Sequence, residues 1–362
     1  MKNKSNNLTF LFGAGISQPA GIINTNEITS KIFTKESKYF LGLNPKILEN
    51  GFELLEKVKT DMNKFYTQLK REMNYEDYYY IIDSISEDER LNFENPIVTY
   101  YAEILFQKFP QIFNGNNHKK LLDITIEVKN YIENIIVALL NKEPDTLDHL
   151  EFLSEAERDE EISEISLFTL NYDKFLEKFL DTRNIKYSDG FVRKKGNIKI
   201  WKPKSFNSRV SIFKLHGSID WHYNSGTDFY DSYYYKSFEK EDGRPILLIG
   251  SFNKLSQYNR SINFELQCMF ANKLESSNYL VIGGYSFRDQ GINTRIINWL
   301  VKSNERKLII IHKNEEELKR ESRPAIKSKW DNLKKRGNIL IINKFVDIHC
   351  KLEWKEIKKL II

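Results

Sequence analysis

The sequence predicts an α/β fold: a parallel sheet with helices on both faces, interrupted by a large helical insertion. Three observations predict it. Short apolar runs stand at LTFLF (8–12), ISLFTL (165–170), VSIFKL (210–215), PILLIG (245–250), YLVIGG (279–284), KLIIIH (307–312) and NILIIN (338–343). They are near-continuous rather than alternating, the pattern of strands buried on both faces. Helical stretches separate most of them, as parallel crossovers require. Between residues 31 and 160 such runs are scarce, and apolar residues fall at helical spacing instead. Residues 1–30 and 161–362 are therefore assigned to one sheet-containing domain, and 31–160 to a helical insertion.

The elements follow in order. LTFLF ends at glycines after five apolar residues, which marks a buried strand. In the insertion, Leu121, Ile124, Val128, Tyr131, Ile132, Ile135 and Leu139 trace an amphipathic helix. Tyr78-Tyr79-Tyr80 reads as packing. The acidic run Glu151 to Glu164 reads as a solvated helix or linker. From residue 301 onward there are 17 Lys+Arg and 9 Asp+Glu, or +8, so the first 300 residues carry −3 of the net +5. These lysines alternate with acids at helical spacing, as on a solvated face rather than a nucleic-acid surface. The stretch Phe229–Tyr235 carries Asp231 and follows Asp228, so packing or an oligomer interface suits it better than a stacking platform.

Composition excludes several classes. With 41% hydrophobic and 29% charged residues the chain can bury a core, so wholesale disorder is excluded. No stretch of about 18 uncharged apolar residues suggests a membrane span. The amino-terminal segment lacks the pattern of a secretory signal. Two cysteines build neither a disulfide framework nor a four-cysteine zinc site. A soluble cytoplasmic protein is expected.

Four motifs carry chemistry, each at the carboxyl end of an expected strand, where an open α/β sheet binds its ligand. Gly13-Ala14-Gly15-Ile16-Ser17 offers a tight turn and close backbone approach to a phosphate, with a helix start supplying N–H groups. Glycines at such a junction also serve packing alone, and no acid follows at the end of a second strand about twenty residues on, as a dehydrogenase fingerprint requires. Thr169-Leu170-Asn171-Tyr172-Asp173 places polar side chains at the crevice. Asn171 reads equally as a ligand-facing group or a helix cap, and Asp173 foremost as a cap. Lys214-Leu215-His216-Gly217-Ser218 puts a histidine on a turn, suited to acid–base work or to a backbone hydrogen bond. His118, His149, His222, His312 and His349 lack that setting and read as structural or surface residues. In Gly283-Gly284-Tyr285-Ser286-Phe287-Arg288-Asp289-Gln290, a Gly-x-Ser turn suits a ribose or phosphate, and Asp289 suits a cap on INTRIINWL.

The order of these four motifs resembles the sirtuin (Sir2) superfamily, and among its members the zinc-free Sir2-like NADase domains of bacterial anti-phage defence systems. The resemblance covers residues 8–21 and roughly 165–300. It implies a Rossmann-like sheet with NAD as substrate. Gly13, Ala14, Gly15 and Ser17 would line the dinucleotide, with Thr169 and Asp173 in support. Gly284, Tyr285 and Ser286 would contact its adenosine side. Asn171 matches the family's catalytic Asn, which orients the nicotinamide ribose or a water, and His216 its general base.

Two departures matter. The paired Cys-x-x-Cys motifs of sirtuin deacylases are absent after His216, and Cys268 and Cys350 stand alone, so no zinc is expected. The family's Pro-Asp-Phe-Arg loop is replaced by Gln18-Pro19-Ala20-Gly21-Ile22-Ile23-Asn24-Thr25-Asn26, where Asn24 and Asn26 offer polar groups but no Arg stands. The resemblance thus implies an NAD+ glycohydrolase acting in abortive anti-phage defence. The alternatives are an NAD-dependent protein deacylase and a non-catalytic NAD or ADP-ribose-binding assembly subunit. A free NADase kills its host, so the resemblance also implies gating. Expected devices are homo-oligomerisation and a partner such as a HerA-type ATPase or a phage-derived trigger, with no membrane and no directly bound nucleic acid.

Overall fold

The computed structural model describes residues 6–90, 95–115, 117–195, 198–225, 233–237, 243–250, 261–344, 346 and 351–361. β1 (Asn6–Phe12) leads to helices α1 (Thr25–Ile32), α2 (Pro45–Gln68), α3 (Tyr75–Glu89), α4 (Pro96–Lys108), α5 (Pro110–Phe113) and α6 (His118–Leu140). There follow α7 (Glu151–Arg158), β2 (Ile162–Thr169), α8 (Phe175–Thr182), β3 (Tyr187–Ser188), β4 (Phe191–Lys195), β5 (Ile198–Trp201), β6 (Val210–Lys214), β7 (Gly217–Asn224), β8 (Tyr233–Lys236) and β9 (Pro245–Leu247). The chain closes with α9 (Ser261–Glu275), β10 (Tyr279–Gly283), α10 (Gln290–Leu300), β11 (Lys307–Ile311), α11 (Glu315–Glu321), α12 (Pro324–Lys327), α13 (Trp330–Lys335), β12 (Ile339–Ile342) and α14 (Trp354–Ile361). Among the described residues no helix is long and apolar enough to cross a membrane.

These elements form two compact units, one of Met1–Ile22, Asn141–Leu248 and Leu255–Ile362, the other of Ile23–Leu140 and Ile249–Lys254. The chain leaves the sheet-containing unit after residue 22 and returns at 141, where the sequence placed these points at 30 and 160. The acidic segment hides the reason. Within α7, Phe152, Leu153 and Ala156 are buried in the core beside the sheet, while the glutamates face outward.

The first unit is α/β, and its larger sheet has the order β12-β11-β10-β1-β2-β6-β3, parallel at every neighbouring pair. Successive side chains alternate between faces. Leu11, Phe168, Phe213, Leu280, Ile282, Leu308 and Ile310 lie in one core with α9, α10 and α13. Phe10, Phe12, Leu167, Ile212, Val281 and Ile309 lie in the other with α7, α8 and α14. Burial on both faces explains the continuous apolar runs. Each large side chain so buried contributes about 1.5–3 kcal/mol.

One run went elsewhere. Pro245–Leu247 of PILLIG is β9, an edge strand of a second, antiparallel sheet in the order β4-β5-β8-β7-β9. Continuous hydrophobicity reports burial, not strand direction, and three paired residues are too few to show a period. Tyr233–Tyr235 belong to β8 of this sheet, paired across to His222–Asn224. The preceding part of that aromatic stretch lies outside the described residues.

The second unit is helical. Each of its long helices starts on an asparagine cap where one is described: Asn24, Asn44, Asn74 and Asn95 accept backbone N–H groups at the first turns of α1, α2, α3 and α4. Leu121, Ile124, Val128, Tyr131, Ile132 and Ile135 are the buried stripe of α6, with α2 and α3 packed on it. Tyr78 and Tyr79 are buried in α3, and the Tyr79 hydroxyl donates to Glu133.

Candidate functional site

Strand order and register assemble the four motifs. Successive strands are laid down from β1 toward β2 in one direction and from β10 toward β12 in the other, so the order reverses at β1 and β10. Such a switch point opens a crevice at the strand carboxyl ends. Phe12 pairs with Gly283 and with Thr169, and Thr169 pairs with Lys214. These four residues form one row across the sheet. Two residues beyond that row, on the four successive strands, stand Tyr285, Ala14, Asn171 and His216.

The loops after β1 and β10 are built against each other. Gly13 N–H donates to Gly283 O at 3.1 Å, and Gly15 N–H to Gly284 O at 3.0 Å. A Cβ on Gly15 would sit 2.8 Å from the Gly284 Cα, and Gly284 itself has φ +66. The glycines thus serve a close approach of two backbones as well as any ligand. After Gly15 the chain turns through 3-10 turns at Ala14–Ile16 and Gln18–Ala20. The expected helix start comes later, at α1, and there the Asn24 side chain is occupied as the cap, accepting from Asn26 and Glu27 N–H. His149, read as structural, is buried and its Nε2 lies 2.8 Å from Ile16 O, bracing the first loop.

The second loop is strained. Phe287, fully buried, has φ +55, a conformation that bulky side chains avoid. Burial against Tyr285 and Trp330 compensates. The buried Tyr285 hydroxyl donates to Asp289 O and Asn293 Oδ1, so its polar tip serves the loop. Ala14 is exposed, and Gly15, Gly284 and Ser286 are half-buried along the rim.

Asn171 does not cap a helix. Its Nδ2 donates to Gly13 O at 3.1 Å and to Ser17 Oγ at 2.9 Å, and its own N–H donates to Thr169 Oγ1. Both amide protons are spent on the first loop. Among the described residues the carboxamide oxygen has no partner, so it remains an acceptor. Ser17 Oγ in turn donates to Asp173 Oδ2 at 2.9 Å. The cap expected at Asp173 falls on Lys174 instead; Asp173 stands one residue earlier, and its other oxygen accepts Phe175 N–H at the start of α8. Burial pushes the Asp173 carboxyl above its ordinary range, opposed by Lys214, by Phe175 N–H and by Ser17.

His216 is buried, and its Nε2 lies 3.2 Å from Asp289 Oδ2. Asp289 also accepts Ile292 N–H through Oδ1 as the cap of α10. Beneath this crest lies a buried ionic network. Lys214 donates to the Tyr172 and Asp173 carbonyls and pairs with Glu177 at 3.2 Å. Lys236 pairs with Asp189 at 3.0 Å and with Asp220 at 3.6 Å. Asp220 is held below the usual carboxylate range: burial alone would raise it, but Lys236, Lys214 and the Ser218 hydroxyl outweigh that. Buried charges at such cost persist only when paired.

Residues 165–336 match the model of a family described as the SIR2-like domain. This segment is Sir2-like. No curated protein matches the chain. Among solved structures, a Sir2 homologue in complex with NAD is similar at 13% identity and a TM-score of 0.41, covering 99% of this chain and 89% of that one. A Sir2 homologue mutant in complex with 2'-O-acetyl-ADP-ribose is similar at 13% identity and a TM-score of 0.39, covering 99% and 92%.

The Sir2-like domain holds groups that sequence reasoning missed. Asp289 read as a cap because capping is a local signal, whereas its histidine partner is 73 positions away. Glu177, Asp220 and Lys236 carry no role in the sequence reading, and Lys214 enters it only as part of the histidine motif, because pairing across the fold leaves no periodic trace. Cys268 is exposed, and Cys350 and His349 lie outside the described residues.

Proposed function

We propose that the protein is an NAD+ glycohydrolase, converting NAD+ and water to ADP-ribose, nicotinamide and a proton. The observation that supports this most is the pairing of an acceptor oxygen on Asn171 with a carboxylate-bound His216, at the ends of adjacent strands beside a switch-point crevice in a Sir2-like domain. The nicotinamide of NAD+ is cationic and leaves neutral, so its departure needs little acid catalysis. What remains is to place a water and accept its proton. The Asn171 carboxamide oxygen accepts from the water or from a ribose hydroxyl. His216 takes the proton as the new C–O bond forms at the ribose.

Gly13–Gly15 and Gly284–Ser286 would hold the dinucleotide, the backbone of Ala14, Gly15 and Gly284 and the Ser286 hydroxyl supplying polar contacts along the rim. We read the physiological role as a gated anti-phage effector, with homo-oligomerisation and a partner ATPase or a phage component as the gate. The test follows NAD by chromatography with pure full-length protein, with and without candidate triggers and an acetyl-lysine peptide. Turnover without peptide, lost in Asn171→Ala and His216→Ala, supports the reading. Consumption only with peptide, or none under any condition, overturns it.

A further inference from the structure

We propose that Asp289 is the positioning residue of His216: it fixes the ring as the Nε2–H tautomer and stabilises the imidazolium formed when the ring takes a proton. This rests on the reading of His216 as the base.

Both side chains are nearly dry, at 5% and 7% exposure, and their atoms approach to 3.2 Å. Two acceptors that close, away from water, repel. Nε2 must therefore carry hydrogen, which leaves Nδ1 as the basic nitrogen. Asp289 divides its oxygens between two tasks: Oδ1 holds the first turn of α10 through Ile292 N–H, and Oδ2 faces the imidazole. The positive end of α10 favours the ionised carboxylate. The Tyr285 hydroxyl, bonded to Asp289 O and Asn293, pins the backbone that carries it.

Among the described residues, Lys214, Arg323 and Tyr285 are engaged. Lys214 is committed to Tyr172, Asp173 and Glu177. Arg323 Nε donates to Arg288 O. Burial raises the Tyr285 hydroxyl well above its usual range, so it stays neutral. When the water proton reaches Nδ1, the positive charge is shared across the ring to Nε2–H and meets the carboxylate. No proton need pass to Asp289.

Asp289→Asn and Asp289→Ser both keep a good helix cap while removing the charge. The decisive measurement needs no turnover: imidazole nitrogen NMR of His216 in the full chain, with His216→Gln to assign the signals. We expect an Nε2–H ring in the native protein and a His216 pKa at least one unit lower in both variants. In NAD turnover, we expect kcat to fall at least tenfold with KM little changed. The acid limb of the pH profile should move to lower pH. A His216 pKa and tautomer unchanged in both variants overturns the proposal. If the native protein turns over no NAD, the enzymatic reading fails, and the NMR result still decides the role of Asp289.

Discussion

The two ends of the parallel sheet differ in how they spend their polar groups. At the amino ends of β2, β3 and β6 lies a cleft of about 480 Å3, lined by Glu157, Arg158, Arg183, Lys186 and Arg209 among others. Its arginines are largely committed. Arg183 pairs with Glu151 and Asp148, Arg158 approaches Glu151, and Arg209 donates to Asp159 O and Ile162 O. Arg158 and Arg183 also sit at the last turn of α7 and the end of α8, where cations complement the helix dipole. At the carboxyl ends the reverse holds. Among the described residues Asn171 keeps an unspent oxygen, a histidine faces a carboxylate, and Phe287 stores backbone strain. On the proposed function, uncommitted polar atoms and strain mark the working end better than open volume does.

This contrast predicts that changes at the carboxyl end cost activity, with or without stability, and that changes at the amino end cost stability alone. The largest effect is expected for Asn171→Ala, with NAD turnover down by at least about 100-fold and a thermal midpoint close to that of the native protein. Gly284→Ala comes next, because its Cβ would lie 2.2 Å from Ile16 N in a left-handed conformation. We expect turnover to be lost and denaturant unfolding to show about 2–3 kcal/mol less stability. If Gly284→Ala is silent in both assays, the two loops are not the rigid pair described. Arg209→Met should leave turnover intact and cost about 1–3 kcal/mol, since two carbonyls lose their donor. A drop in turnover there would dissolve the contrast.

The smallest effect concerns pH. Asp173 has a raised folded-state pKa, so the native state holds a proton that the unfolded chain has released. Its stabilising share is complete below the ordinary value of 3.8 and is lost as pH rises through the folded value. Relative to Asp173→Asn, the native protein should lose stability as pH rises above about 4. Denaturant midpoints at three pH values would show it, and parallel curves would refute it.

Much of this was legible in the residues. The six strands of the parallel sheet that hold a continuous apolar run could be read, because double-sided burial writes hydrophobicity into every position. The two-residue β3 could not. The four motifs marked the strand ends, since glycine and polar residues end such runs. The antiparallel sheet was hidden: FVRKK is rich in charge, the tyrosine run reads as packing without marking a strand, and Lys236 is buried only because Asp189 and Asp220 meet it from distant positions. The same limit explains Asn171, whose partners Gly13 and Ser17 are more than 150 positions away.

The smaller sheet has a consequence for modularity. Its strands β4 and β5 precede β6 in the chain, while β7, β8 and β9 follow it. The chain therefore passes through the parallel sheet between the two halves of the lobe. A lobe woven in this way cannot be excised, transplanted or acquired as one contiguous cassette. Recombination that replaces it must also replace β6 and the histidine turn, so lobe and histidine turn are inherited as one piece.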